Sequence, residues 1–120
     1  MSRFQNLWKM FKESHYRPLP KSVIIRHSEI DGLGLFAVED IPKDTNLGVT
    51  HVWVMNMWIR TPLGGFINHC ARPNAEAVDH VHDGYQDVPY RTCKTIEDVK
   101  AGDEITFYYS LKEYELAENV

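Results

Sequence analysis

The strongest constraint in this chain is a rhythm of β-branched and aromatic runs, each stopped by Gly, Pro, Asp or Asn before it grows long. Val23-Ile24-Ile25 lies within a strand expected over residues 22–27, and the acidic turn from Glu29 to Gly32 closes it. Further strands are expected over 33–38, 46–54, 75–82, 88–95 and 105–109. Pro42-Lys43-Asp44, Asp83-Gly84 and Ala101-Gly102-Asp103 supply turns between them. Helical periodicity is confined to the two ends. Phe4, Leu7, Trp8 and Phe11 recur at helical spacing until Pro18 and Pro20 stop the pattern, and 111–117 reads as a short terminal helix. The chain therefore reads as mainly β: one domain over 21–120, preceded by a helical extension over 1–20. Its 120 residues are enough to bury a core without staples.

Composition narrows the function classes. Net charge is −4, with both signs interspersed and no run of five like charges, which disfavours tracking along nucleic acid and suits a basic protein partner. The two cysteines, Cys70 and Cys93, are not in a Cys-x-x-Cys arrangement and fit free thiols better than a disulfide scaffold. No apolar run is long enough to span a bilayer, and the N-terminus lacks the apolar stretch of a signal peptide. A soluble intracellular protein, cytoplasmic or nuclear, is expected. An amphipathic N-terminal helix carrying Trp8 and Phe11 must bury its apolar face on something, which leaves a homodimer open.

Three segments carry chemistry. Gly32-Leu33-Gly34-Leu35-Phe36 places two residues without Cβ at the mouth of a strand, where a ligand can approach the backbone. It lacks the third glycine and the following helix of a dinucleotide fingerprint. Gly64 to Asn74 reads GGFINHCARPN, in which Asn68 offers both a donor and an acceptor, and Pro73-Asn74 reads as a turn that fixes the path of the segment. Glu104-Ile105-Thr106-Phe107-Tyr108-Tyr109 ends the β pattern with two tyrosines. A fourth segment, Asp79-His80-Val81-His82-Asp83, puts two histidines on one face of a strand and admits a cupin-like metal protein, although the later glutamate and histidine that such a site wants are not in place.

Taken in order over roughly residues 23–109, these three segments resemble the SET-domain protein-lysine methyltransferases. The resemblance implies a β-clip fold: several small sheets of short strands, with a C-terminal strand threaded beneath a preceding loop. It implies S-adenosylmethionine as cofactor and methyl transfer to a lysine side-chain amine of a protein substrate. On this sequence it places Gly32, Gly34, Leu35, Phe36, Asn68 and His69 at the cofactor, the glycine segment and His69 through their backbone. Tyr109 falls at the catalytic tyrosine, Trp58 and Tyr108 become part of a lysine channel, and Tyr114 is the candidate for stacking on adenine.

The departures from the family pattern matter as much. Cys70 and Ala71 stand where the family usually has Ser and Cys, and no cysteine follows Tyr109, so the family's cysteine-rich zinc site cannot be built. Tyr108 replaces a usual aspartate. Residues 36–66 leave room for little beyond two strands, which implies a minimal substrate groove and a lysine in a short basic segment as the target. Trp53 and Trp58 cannot be told apart as channel residues by alternation, and Arg60 could meet either the cofactor carboxylate or a surface acid. A non-catalytic module of the same fold is the alternative that these departures leave open.

Overall fold

The structure, a computed structural model, describes residues 18–81 and 88–109. The expected N-terminal helix, the Asp83-Gly84 turn, the terminal helix and Tyr114 lie outside the described residues.

Within them every regular element is a strand: β1 (Val23–His27), β2 (Leu33–Ala37), β3 (Asn46–Val54), β4 (Met57–Arg60), β5 (Asn68–His69), β6 (Ala75–His80), β7 (Tyr90–Thr95) and β8 (Glu104–Phe107). They form two four-stranded sheets, ordered β1-β2-β8-β5 and β4-β3-β7-β6. The mainly β expectation holds, and β3 begins and ends where the sequence placed it. The Pro42-Lys43-Asp44 turn is also present, with Asp44 in the left-handed region at φ 66°, a conformation that Asp tolerates better than most side chains.

The strand that the sequence did not show is β4. It pairs with β3 as an antiparallel hairpin, Val54 opposite Met57, and the two residues between them, Met55 and Asn56, both have positive φ (53° and 63°). That is the mirror-image turn that matches strand twist, normally announced by Asn-Gly or Asp-Gly. Here Met55 takes the first position, so the local signal is missing.

One core serves both sheets. Leu35 on β2 faces Ile105 on β8, and both are fully buried. Leu47 from β3, Cys93 from β7, Ala75 from β6, and Ile41, Leu63, Ile67 and Val99 from the connections pack with them. Each fully buried aliphatic side chain of this size contributes roughly 1.5–3 kcal/mol. Ile41 and Val99 exchange backbone hydrogen bonds of 2.7 and 2.8 Å, which ties together the connections leaving β2 and β7. Burial pushes the Cys93 thiol up to about 12.

β8 is held on both edges. It runs antiparallel to β2 and parallel to β5, with Asn68 opposite Thr106 and His69 opposite Phe107. Asn74 continues the second edge with its side chain: its Nδ2 donates to the Glu104 carbonyl at 2.8 Å, and its Oδ1 accepts from the Thr106 N–H at 2.9 Å. The Pro73-Asn74 turn is thus structural, as read from the sequence. It keeps the C-terminal strand between β2 and the 68–74 segment.

Among the described residues no helix is long and apolar enough to cross a membrane.

Candidate functional site

The segment leading into β5 is fixed from below. Thr61 folds back on β3, donating its N–H to the Thr50 carbonyl at 2.9 Å and its hydroxyl to the Val49 carbonyl at 2.6 Å. Gly64 then passes so close to Thr50 that a Cβ there would fall on the Thr50 carbonyl. Only glycine fits. Ile67 is buried next in the core, and its neighbours Asn68 and His69 emerge beside the end of β8.

Asn68 joins the glycine loop to β8. Its Nδ2 donates to the carbonyls of Asp31 (3.1 Å) and Leu33 (3.2 Å) and to Glu104 Oε2 (2.8 Å). Three oxygens around one atom fix which end of the amide is nitrogen. Its Oδ1, an acceptor, meets no donor among the described residues.

Glu104, to which the sequence alone gives no role, is held at the centre of this arrangement. One carboxylate oxygen accepts from Asn68, and the other accepts from the Ser28 hydroxyl at 2.7 Å. The carboxylate lies against Gly34, where a Cβ would come within 2.8 Å of Glu104 Cδ. The space that a side chain at position 34 would take is thus filled by the Glu104 carboxylate. The signal was available in the pairing of a strand-opening Glu with a glycine, but it depended on knowing that β2 and β8 are neighbours.

The rest of the glycine segment divides in two. Leu35 and Phe36 are paired with both β1 and β8, and the Leu35 side chain is in the core. Gly32 has φ 44°, and no heavy atom lies within 4 Å of where its Cβ would be. The stretch from Asp31 to Gly34, which leads into β2, is not paired with β8, and Asn68 docks there.

Tyr109 is held by the same segment at both its ends. Its hydroxyl donates to the Ile67 carbonyl, and its backbone N–H donates to His69 Nδ1 at 2.8 Å. The His69 ring lies 5.0 Å from the Tyr108 ring and 5.6 Å from that of Tyr109, both tilted. Tyr108 is 59% exposed. From β4 the Arg60 guanidinium reaches over the Tyr109 ring, 5.8 Å from its centroid.

Trp58 sits one step along the same face of β4. Opposite Trp53 in the β3–β4 pairing, it packs edge-on against Trp53 (5.1 Å) and His51 (6.1 Å), with the Arg91 guanidinium 4.1 Å from its ring centroid. Arg91 is 3% exposed and pairs with Asp79 at 2.6 Å. His51 Nδ1 meets the Thr50 hydroxyl at 2.8 Å. Burial first, and then the charges of Arg91 and Arg60, push His51 down to about 4. Trp58 thus belongs to a packed cluster, and the β4 side chain that meets Tyr109 is Arg60.

The histidine pair weighed as a metal site is otherwise engaged. His80 stacks on Tyr90 at 4.5 Å and meets the Thr92 hydroxyl at 3.0 Å, while His82 lies outside the described residues. An open groove of about 220 Å³ lined by Asp40, Ile41, Pro42, Asp98, Val99 and Lys100 is a separate feature. Its two carboxylates accept backbone N–H groups, Asp40 from Ala101 and Asp98 from Lys43.

A family model described as the SET domain matches residues 51–110, half of this 120-residue chain. The chain belongs to the SET-domain family. Its fold is similar to that of a candidate histone methyltransferase of Plasmodium falciparum, at 20% identity and TM-score 0.63 over 77% of this chain and 96% of the other. Chaetomium thermophilum Polycomb Repressive Complex 2 bound to an inhibitor matches at 20% identity and TM-score 0.61, over 79% of this chain and 16% of that one. The same complex in an autoinhibited conformation bound to S-adenosylmethionine matches at 20% identity and TM-score 0.60, over 80% and 16%. This SET domain therefore spans about one sixth of those Polycomb chains, and identities near 20% speak for the fold. A search of curated proteins by sequence finds no match. Membership of the SET family sets the cupin-like reading aside.

Proposed function

We propose that this SET domain transfers a methyl group from S-adenosylmethionine to the side-chain amine of a lysine in a protein substrate. The observation that carries the reading is the convergence on β5. Asn68 is bonded to the glycine loop, and the residues on either side of it, Ile67 and His69, hold Tyr109.

The residues fit the cofactor. Asn68 has spent its amide donor on three protein oxygens, which leaves Oδ1 as a fixed acceptor for the ammonium of an amino-acid ligand. Gly32, open to solvent where its Cβ would be, and the backbone of Gly34 would line the same ligand, with the His69 backbone on the far side of Asn68. S-adenosylmethionine supplies a methyl group made electrophilic by the sulfonium.

The chain's own residues supply orientation and a neighbouring positive charge. With its hydroxyl proton committed to the Ile67 carbonyl, Tyr109 presents oxygen lone pairs away from that bond. They can accept an N–H of the lysine amine and so aim the nitrogen lone pair. Holding a nucleophile at near-attack distance supplies much of such a rate. The amine must be neutral, although a free lysine titrates at ~10.4. The Arg60 cation over Tyr109 disfavours the ammonium form. The net charge of −4 suits a lysine within a basic segment, with the cytoplasm or nucleus as the place of action.

Calorimetric titration with S-adenosylmethionine, beside an Asn68→Ala variant, tests the cofactor site. Saturable binding weakened by the substitution is expected, and no binding by the folded chain would remove the cofactor assignment. Tyr109→Phe tests the chemistry: turnover should fall on the order of 100-fold, as when one preorganised polar group is lost, with cofactor affinity kept. Binding by the intact chain without methylated product from basic peptides would favour the non-catalytic module.

A further inference from the structure

At the end of β8 the Cys70 N–H donates to the Phe107 carbonyl at 2.8 Å. Tyr108 and Tyr109 lie past that point, and there the His69 side chain holds the Tyr109 backbone, with Nδ1 accepting the Tyr109 N–H at 2.8 Å. A backbone N–H can only donate. Nδ1 must therefore carry a lone pair, which leaves the ring proton on Nε2.

We propose that the His69 side chain is a positioning residue for Tyr109, and that it works only as the neutral imidazole with its proton on Nε2. This rests on the proposed methyl transfer for its kinetic consequences, but its structural part stands alone. The imidazolium would direct an N–H at the N–H of Tyr109, and the contact would turn from attraction to repulsion. His69 is exposed, so water can deliver that proton. Among the described residues, the groups packed around it are the Tyr108 and Tyr109 rings, with Arg60 from β4 over Tyr109. Glu104, the carboxylate on β8, is committed to Ser28 and Asn68. Releasing the Tyr109 backbone would let its hydroxyl drift from the Ile67 carbonyl, a displacement that costs about 100-fold in rate when it reaches ~1 Å.

The test uses the full chain, with His69→Phe to remove the acceptor and His69→Asn to keep one without titrating, since Asn Oδ1 falls near the place of Nδ1. The first readout is the exchange protection of the Tyr109 amide by NMR. Protection should persist in His69→Asn and fall at least tenfold in His69→Phe. The second readout is turnover, of which His69→Asn should recover most of what His69→Phe loses. A Tyr109 amide equally protected in the wild type and His69→Phe, or turnover that His69→Asn does not restore, overturns the inference. If His69→Phe does not fold, His69→Ala takes its place in both readouts. Absence of methyl transfer in the wild type, with the amide profiles as expected, would count against the enzymatic reading and leave the positioning contact intact.

Discussion

On β3, β4, β6 and β7 the polar groups close on one another, whereas around β5 and β8 they stop one partner short. Arg91 is buried, but Asp79 neutralises it and Trp58 covers its planar face. His51 is buried, but neutral and bonded to Thr50. No buried side-chain nitrogen or oxygen among the described residues lacks a partner. In the other region Asn68 keeps an unused acceptor, His69 is exposed, and Tyr108 is 59% exposed. Both regions carry aromatic rings and cations, so residue type does not separate them. Burial does: a network sealed from water serves stability, and one at the surface has room for a ligand.

The contrast can be broken, and its largest test is pH. The folded state holds His51 near 4, below the ordinary histidine value of about 6.5. Above 6.5 both folded and unfolded chains carry it neutral, and its contribution is fully present. As pH falls from 6.5 to 4 the unfolded chain takes up a proton that the folded one refuses, and stability drops by roughly 3 kcal/mol. Urea midpoints should fall across that window in the wild type and fall less in His51→Asn. Equal slopes would mean that His51 is not sealed.

Asp79→Ala should cost about 2 kcal/mol, because it leaves Arg91 buried without its carboxylate while water reaches part of the gap. A change below about 0.5 kcal/mol in chemical denaturation would show that the cluster does not need closing. Gly34→Ala, on the open side, should cost about 1–2 kcal/mol, the usual price of forcing an atom into filled space, and should weaken S-adenosylmethionine binding by disturbing Glu104 and Asn68. Unaltered cofactor affinity would separate Glu104 from the site. Lys94 supplies the lower bound. It lies 3.8 Å from both Asp44 and Glu76 with 39% of its side chain exposed, and Lys94→Ala should change stability by less than ~0.5 kcal/mol, read by thermal melting.

What the sequence showed and what it hid follow the same division between local and distant causes. β3 and the Asp44 turn were legible because alternation and turn chemistry are written in neighbouring residues. Gly34, Asn68 and Tyr109 were legible as motif positions, by resemblance to a family. β4 was hidden because its turn uses Met55 where Asn or Gly is usual, and β5 because two residues form a strand only once β8 lies beside them. The role of Glu104 needed β2, β5 and β8 together, since its carboxylate touches Ser28, Gly34 and Asn68. The contact of Arg60 with the Tyr109 ring was hidden as well, because it needs β4 to carry Arg60 there.

The two cysteines are placed so differently that the molecule comes with a built-in attachment point. Cys93 has no exposed surface and a thiol pushed up to about 12, so alkylating reagents, which consume thiolate, pass it by. Cys70 is half-exposed and follows His69 directly in the chain. A thiol-reactive fluorophore on the folded protein would settle at Cys70 and report, without any substitution, when something arrives beside Tyr109.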